Sequence, residues 1–384
     1  MKITNVQAIP LNVPVDLEIV GLRRSTNLSC VIVRIDTDDG RIGCGLTAIT
    51  EEEVVACAIN DVAMHPLIGA DPMRTEQLWE RLYWLLTPRG QSGYGSHAIA
   101  ALDVALWDLK AQALGQPLWR LLGGARNTVP AYATFGFGFI ERDALGAAAS
   151  HWVEAGFRHL KMTVGQNALM RRDEPRRITD VIAEDVRRIR AVRDAVGEDV
   201  QISIDANCSL DPLHAIELGR HARELGVALF EEPITHNDVR QLRDVRKRTG
   251  LALAGGQNEG LASRFADFLA AGALDVLQPN VAITGGYTQC LRIAGMAQAW
   301  NVAIGNGGAW PFHNMHLHAG VAHGGFIEYH HVAVLMCQKL FKGLPEPHDG
   351  KLTLSDKPGL GFDPDWDAIA AIGRLPLSRG KGKA

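Results

Sequence analysis

From Val129 onward the chain alternates short apolar runs with longer helical stretches, and this rhythm restricts the fold more than any other feature of its 384 residues. The runs are VPAYAT, HLKMTV, VQISIDA, VALFEEP, LALAGGQ, LDVLQPN, NVAIGN and FIEYHH. Between them lie segments such as EDVRRIRAVRDAVG, PLHAIELGRHARELG and YTQCLRIAGMAQAW, with apolar residues at helical spacing. From the third run on, run ends recur about every 25 residues, the length of a strand–helix unit. Buried parallel strands read as continuous β-branched runs, so the pattern predicts an α/β chain built on a (β/α) barrel of the TIM type, with seven or eight strands.

The segment before the barrel reads differently. ITNVQAIPLNV alternates in period two, and LSCVIVRIDTDDGRIGCGL predicts two strands joined at Asp39-Gly40. SHAIAALDVALWDLKAQALG predicts a helix ending at Gly115. A boundary is expected near Gly124, with an α+β unit before it and the barrel after it.

Composition narrows the function. With 39 Lys+Arg against 43 Asp+Glu, the net charge is -4, which argues against nucleic acid or an anionic membrane as partner. Six cysteines without a CxxC spacing read as reduced thiols. The start MKITNVQAIP has no signal-peptide apolar core, and no run approaches the ~18 apolar residues of a membrane span. The expectation is a cytoplasmic protein.

A barrel of this kind places chemistry at the C-terminal ends of its strands. The polar residues at the run ends are Lys161, Asp205, Glu231, Gln257, Asn280 and Asn306. The competing reading is that they cap the following helices. Asp205, Glu231 and Gln257 end three successive runs at even spacing, so their side chains can converge across strands about 5 Å apart. Such oxygen donors suit a hard divalent ion, Mg²⁺ above all. Asn207 shares the orientation of Asp205 if the chain stays extended there. Lys161 lies inside an apolar run, where an ammonium must face a polar site or snorkel outward.

These motifs together resemble the enolase superfamily, in the mandelate racemase/muconate lactonizing enzyme group. GFRHLKMTVG resembles its second barrel strand, IDAN its third, FEEP its fourth, and DVLQPNVAITGGYTQCLRIA its sixth strand and following helix. SHAIAALDVALWDLKAQALGQPLWRLLGG resembles the end of its capping domain, and DGKLTLSDKPGLGFDPDWDAIA the C-terminal return to that cap. The resemblance implies a cap over residues 1–124, a barrel over 125–340, and a returning segment over 341–384. It implies removal of the proton next to a substrate carboxylate, with Mg²⁺ stabilising the enediolate, a general pattern for this superfamily. By the same resemblance Asp205 and Glu231 are metal ligands, Gln257 (followed by Asn258) stands at the third ligand position, and Lys161 is the first lysine of a Lys-x-Lys pair. The family habit is also a homo-oligomer.

The chain departs from that pattern at its acid/base positions. Thr163 stands where the second lysine belongs, Gln257 replaces a carboxylate, Asn280 replaces the aspartate of a His–Asp dyad, and Asn306-Gly307 replaces its histidine. A replacement base is expected in GGAWPFHNMHLHAGVAHGG, with His313 ranked before His316, His318 and His323. His330 or His331 after FIEY, or Lys161 itself, are alternatives. Arg24, with Arg23, belongs to the region that in this family covers the barrel mouth, and is a candidate for a distal anionic group. One base suffices for dehydration, whereas racemisation needs bases on both faces. The leading expectation is therefore a lyase that dehydrates a sugar acid. A racemase, epimerase or cycloisomerase of a carboxylate is the alternative, and a ligand-binding protein that has lost catalysis is the reading of another class.

Overall fold

The structure, a computed structural model, describes residues 1–90 and 93–373. The alternating N-terminal segment forms a long antiparallel hairpin, β1 (Ile3–Ile19) and β2 (Leu22–Thr37), extended by β3 (Ile42–Ala48). One face of this sheet is apolar and packs on the helix Tyr94–Ala113, whose Ala101 and Ala105 carbonyls lie where side chains at Gly45 and Gly43 would stand. Only glycine permits that approach of helix to sheet.

Eight parallel strands follow: β4 (Thr128–Gly136), β5 (His159–Thr163), β6 (Gln201–Asp205), β7 (Val227–Glu231), β8 (Ala252–Gly255), β9 (Val276–Leu277), β10 (Ala303–Ile304) and β11 (Ile327–His330). They pair in the order β10-β9-β8-β7-β6-β5-β4-β11. The curled sheet has no strand ladder between β10 and β11. There the Asn306 N–H donates to the Phe326 carbonyl (2.9 Å), and the Glu328 N–H donates to Asn306 Oδ1 (3.1 Å). A side-chain amide thus stands in for the missing ladder.

Of the expected returning segment 341–384, residues 374–384 lie outside the described residues; the rest turns back toward the N-terminal unit. β12 (Phe341–Lys342) pairs with β14 (Asp363–Pro364), and β13 (Lys351–Thr353) runs antiparallel to the start of β4. The helix Trp366–Ile372 then reaches the N-terminal sheet, where the Arg34 guanidinium lies 5.1 Å from the centre of the Trp366 ring. Cap and barrel are also tied directly. Asp103 accepts from the Thr288 N–H (2.9 Å) and hydroxyl (2.6 Å), and Trp107 Nε1 donates to the same hydroxyl (2.8 Å). Burial pushes Asp103 up to about 7, against those two hydrogen bonds. Among the described residues no helix is long and apolar enough to cross a membrane.

Candidate active site

Strand register decides which side chains share the barrel interior. Thr163, Asp205 and Glu231 are paired across β5, β6 and β7, and Ala254 and Val276 continue that level across β8 and β9. Because side chains alternate along a strand, Lys161 on β5 and both Glu328 and His330 on β11 belong to the inward set. The competing reading, helix capping, does not hold for Asp205: the helix after β6 is capped by Asp211, which accepts from the His214 N–H.

Lys161 is the centre of the arrangement. It is 1% exposed, and its Nζ lies 2.8 Å from both Glu231 oxygens, 2.8 Å from Glu328 Oε1 and 3.4 Å from Asp205 Oδ2. The ring of Tyr132 from β4 lies 5.4 Å from the ammonium. Burial alone would drive Lys161 toward its neutral form, but Glu231 and Glu328 overrule it and hold its pKa well above the ordinary value. It is therefore an ammonium that offsets negative charge.

Three carboxylates face this one ammonium, so with all three ionised two negative charges would be unbalanced in a buried site. Burial pushes Asp205 and Glu231 up, and the Lys161 charge offsets only part of it. Glu328 is also opposed by burial, yet Lys161 and His330 bring it below the usual carboxylate range. Its Oε1 accepts from the Thr134 hydroxyl (2.6 Å) and its Oε2 from the Ala309 N–H (2.8 Å). Sequence reasoning passed over Glu328. The signal was the same as for Lys161: a charged residue inside the apolar run FIEYHH.

Gln257 is buried, and its Nε2 donates to Glu232 Oε2 (2.9 Å), which also accepts from Asn258 Nδ2 (2.8 Å). Asn237 Nδ2 donates to the other Glu232 oxygen (3.2 Å). With its amide nitrogen engaged, Gln257 is left with its oxygen to offer. Among the described residues no three His, Cys, Asp or Glu side chains form a ready metal cage. The third position is an amide, and the ammonium of Lys161 lies against the two acids. The donor set nevertheless fits a hard divalent ion, because Asp205, Glu231 and Gln257 offer only oxygens and the cluster carries uncompensated negative charge.

Four expected residues are placed differently. Asn207 does not share the orientation of Asp205: the chain turns into the left-handed region (φ 46), its N–H donates to Asp205 Oδ1 (2.8 Å), and its side chain is exposed. Asn280 is locked, its Nδ2 donating to the Gly307 (2.7 Å) and Gly308 (3.0 Å) carbonyls and its Oδ1 accepting from Ala282 N–H (3.0 Å) and Asn314 Nδ2 (3.0 Å). Asn306 is consumed by the barrel seam and by the Gly307 carbonyl (3.0 Å). Neither amide is free to work on a ligand. His313 is buried in the helix Pro311–Gly320, with its ring 5.5 Å from Phe341 and 5.2 Å from Phe362. It faces the returning C-terminal segment, where burial holds it neutral with a pKa pushed down to about 3.

The inward residue at the sixth strand end is Gln278, two positions after Val276, where the ladder continues through the Gln278 N–H to the Gly255 carbonyl (2.9 Å). Thr163 donates its hydroxyl to the Gly136 carbonyl (3.0 Å). Arg24 is exposed near the tip of the β1–β2 hairpin, its guanidinium 4.5 Å from the Phe139 ring. Phe139 stacks on Phe137 (5.6 Å), which packs on His330 (5.1 Å). The hairpin thus reaches the barrel mouth along an aromatic wall. His330 is half-buried, and its Nδ1 accepts from the Ala333 N–H at 3.4 Å. Burial, and the nearby Lys161, lower its pKa despite Glu328.

Comparison with known proteins agrees with this geometry. Residues 144–368 match the family described as Enolase C-terminal domain-like, and residues 3–123 match the Mandelate racemase / muconate lactonizing enzyme, N-terminal domain. The chain belongs to the enolase superfamily, in the mandelate racemase/muconate lactonizing group. It is 29% identical to an arabinonate dehydratase of Saccharolobus solfataricus, over 87% of this chain and 88% of that one. It is 31% identical to a 3,6-anhydro-alpha-L-galactonate cycloisomerase of Streptomyces coelicolor, over 89% and 91%. A crystal structure of a racemase from Streptomyces coelicolor with bound magnesium superposes with a TM-score of 0.86 at 27% identity, covering 96% of this chain and 99% of that one. This membership accounts for the pairing of an antiparallel N-terminal unit with a parallel barrel and a C-terminal segment that returns to that unit.

Proposed function

We propose that this chain is a magnesium-dependent lyase that dehydrates a sugar acid, with cycloisomerisation of a related carboxylate as the alternative. The observation that carries the proposal is the division of the barrel mouth. Lys161, Glu328 and His330 supply ammonium, carboxylate and imidazole on β5 and β11, whereas Gln257, Gln278 and Gly307 supply only neutral groups after β8, β9 and β10.

In this reading Lys161 holds the substrate carboxylate, since it is the one cation of the cluster and stays charged. A divalent ion held by Asp205, Glu231 and the Gln257 amide oxygen would supply the remaining positive charge against the anion that forms when the α proton leaves. With Nδ1 accepting from Ala333, the neutral His330 ring carries its proton on Nε2 and meets a ligand as a donor, which suits a departing hydroxyl. Glu328, the ionised carboxylate of this set, is the group able to take the α proton, so acid and base stand on one side; that serves dehydration or ring closure and leaves a two-base racemisation nothing on the other side to work with. The relatives named as a dehydratase and a cycloisomerase, and the magnesium-bound racemase structure, support this choice of chemistry and ion.

The test is incubation in D₂O with Mg²⁺ and a panel of aldonates and aldarates. We expect deuterium at the α carbon of at least one acid and accumulation of its 2-oxo-3-deoxy product. Tight binding with no exchange across the panel would overturn the enzyme reading in favour of a ligand-binding protein.

A further inference from the structure

The neutral half of the mouth contains an unused hydrogen-bonding group. Gln278 is 2% exposed, it points inward, and its Oε1 is buried with no partner. Beside it, a Cβ on Gly307 would lie 2.6 Å from Gln278 Nε2 and 3.0 Å from Gln257 Oε1. A Cβ on Gly308 would lie 3.2 Å from the same Gln257 oxygen, at φ +72. Two side-chain amides and a bare glycine backbone therefore form a small uncharged cradle opposite Lys161.

We infer that Gln278 binds a hydroxyl group of a polyhydroxy carboxylate and determines specificity for it; this rests on the sugar-acid reading above. A buried amide oxygen without a partner is unfavourable, and native proteins keep such groups satisfied or use them. In the orientation the structure shows, the free atom is an acceptor, so the partner donates. A carboxylate cannot donate, and the buried Glu232 held against Gln257 repels a second anion. A hydroxyl can donate to the Gln278 oxygen and accept from an amide N–H, so it matches the cradle either way the amide is turned. The substrate then spans the barrel, its carboxylate at Lys161 and a hydroxyl at Gln278. A site built on a buried hydrogen-bonding group discriminates strongly against an analogue lacking the partner.

The experiment compares wild type with Gln278→Leu, with Mg²⁺ present, by calorimetry against sodium D-galactonate, sodium D-arabinonate and the hydroxyl-free pentanoate. Loss of the hydrogen bond should weaken whichever polyhydroxy acid binds by at least about tenfold, leave pentanoate unchanged, and not lower the melting temperature of the ligand-free protein. Gln278→Met, similar in length and unbranched, repeats the measurement if the leucine does not fit. Equal affinities in wild type and variant, as expected if Gln278 holds only a water, would overturn the inference. So would an inability of both variants to fold, or binding of neither sugar acid by wild type. The two proposals fail separately: Gln278-dependent binding without α-carbon exchange removes the reaction and keeps the subsite, while exchange with unchanged KM in the variant does the reverse.

Discussion

Replacing Lys161 by Met keeps most of the side-chain volume and removes the ammonium from between Glu231, Glu328 and Asp205. Each of those contacts is 2.8–3.4 Å in wild type. At an effective dielectric of 20, one such pair is worth about 5 kcal/mol, a gross figure that desolvation largely cancels. A tighter bound comes from the alternative open to the variant, which is to bind protons. Holding one carboxylate protonated at pH 7 costs about 4 kcal/mol, from the gap between pH and an ordinary glutamate pKa. Removing one partner of a buried pair typically costs about 3–5 kcal/mol, so both routes give a loss of about 4 kcal/mol at pH 7. At pH 5 the proton costs only about 1 kcal/mol, and the loss should shrink to that size.

The sign follows from linkage. The variant's carboxylates have folded pKa values above their unfolded ones, so the folded state binds more protons in that window and its stability rises as pH falls. Urea unfolding in chelator, followed by tryptophan fluorescence and circular dichroism at pH 7 and pH 5, measures both differences. Groups common to the two proteins cancel in each comparison. A loss below 1 kcal/mol at pH 7, or the same loss at both pH values, would refute the view that Lys161 compensates the buried acids.

Two further substitutions probe the same interior. Gln257→Glu puts a carboxylate where the amide now donates to Glu232 at 2.9 Å, so the metal-free protein should melt lower while calorimetry shows tighter Mg²⁺ binding; unchanged affinity would remove Gln257 from the ion's ligands. His313→Phe should leave turnover intact and relieve acid sensitivity by about 2 kcal/mol at pH 5, because the wild-type ring is neutral when folded but protonates in the unfolded chain below about 6.5. In wild type the neutral ring carries no penalty above the unfolded value and costs progressively more stability as pH falls toward 3, so the variant's advantage should be absent at pH 7 and grow through a urea series to pH 4.5; a variant that gains nothing across that series would refute this.

The barrel was legible because burial imposes a period. Strands such as QISID and VALFE sit between a helical layer and a filled interior, and their ends mark the chemical face. Lys161, Asp205 and Glu231 were legible for the same reason, as ionisable residues at the mouths of apolar strands. Asn280 and Asn306 carry the same sequence signature, yet both turn their amides to carbonyls of the loop after β10. A strand-end amide that binds a ligand and one that ties a loop cannot be told apart without knowing which backbone groups lack ladder partners. The β10–β11 seam supplies those groups, and no local pattern announces it. His313 misled for a related reason. Its distance along the chain from β10 is short, but the helix that carries it presents that face to Phe341 and Phe362, residues that arrive from the far C-terminal segment.

The substitutions that looked like losses form a consistent set once the interior is drawn. A lysine at 163 would have added a second cation, and a glutamate at 257 a further anion next to Glu232. With Thr163 and Gln257 instead, charge is concentrated on β5, β6, β7 and β11, and the far wall becomes amide and glycine. A wall of that kind cannot exchange protons, but it can orient hydroxyl groups without ionising them. An α proton and a β hydroxyl on one molecule can both be handled from the charged side while the rest of the polyol is held from the other. The neutral positions therefore bear on substrate choice, and the charged positions on the reaction.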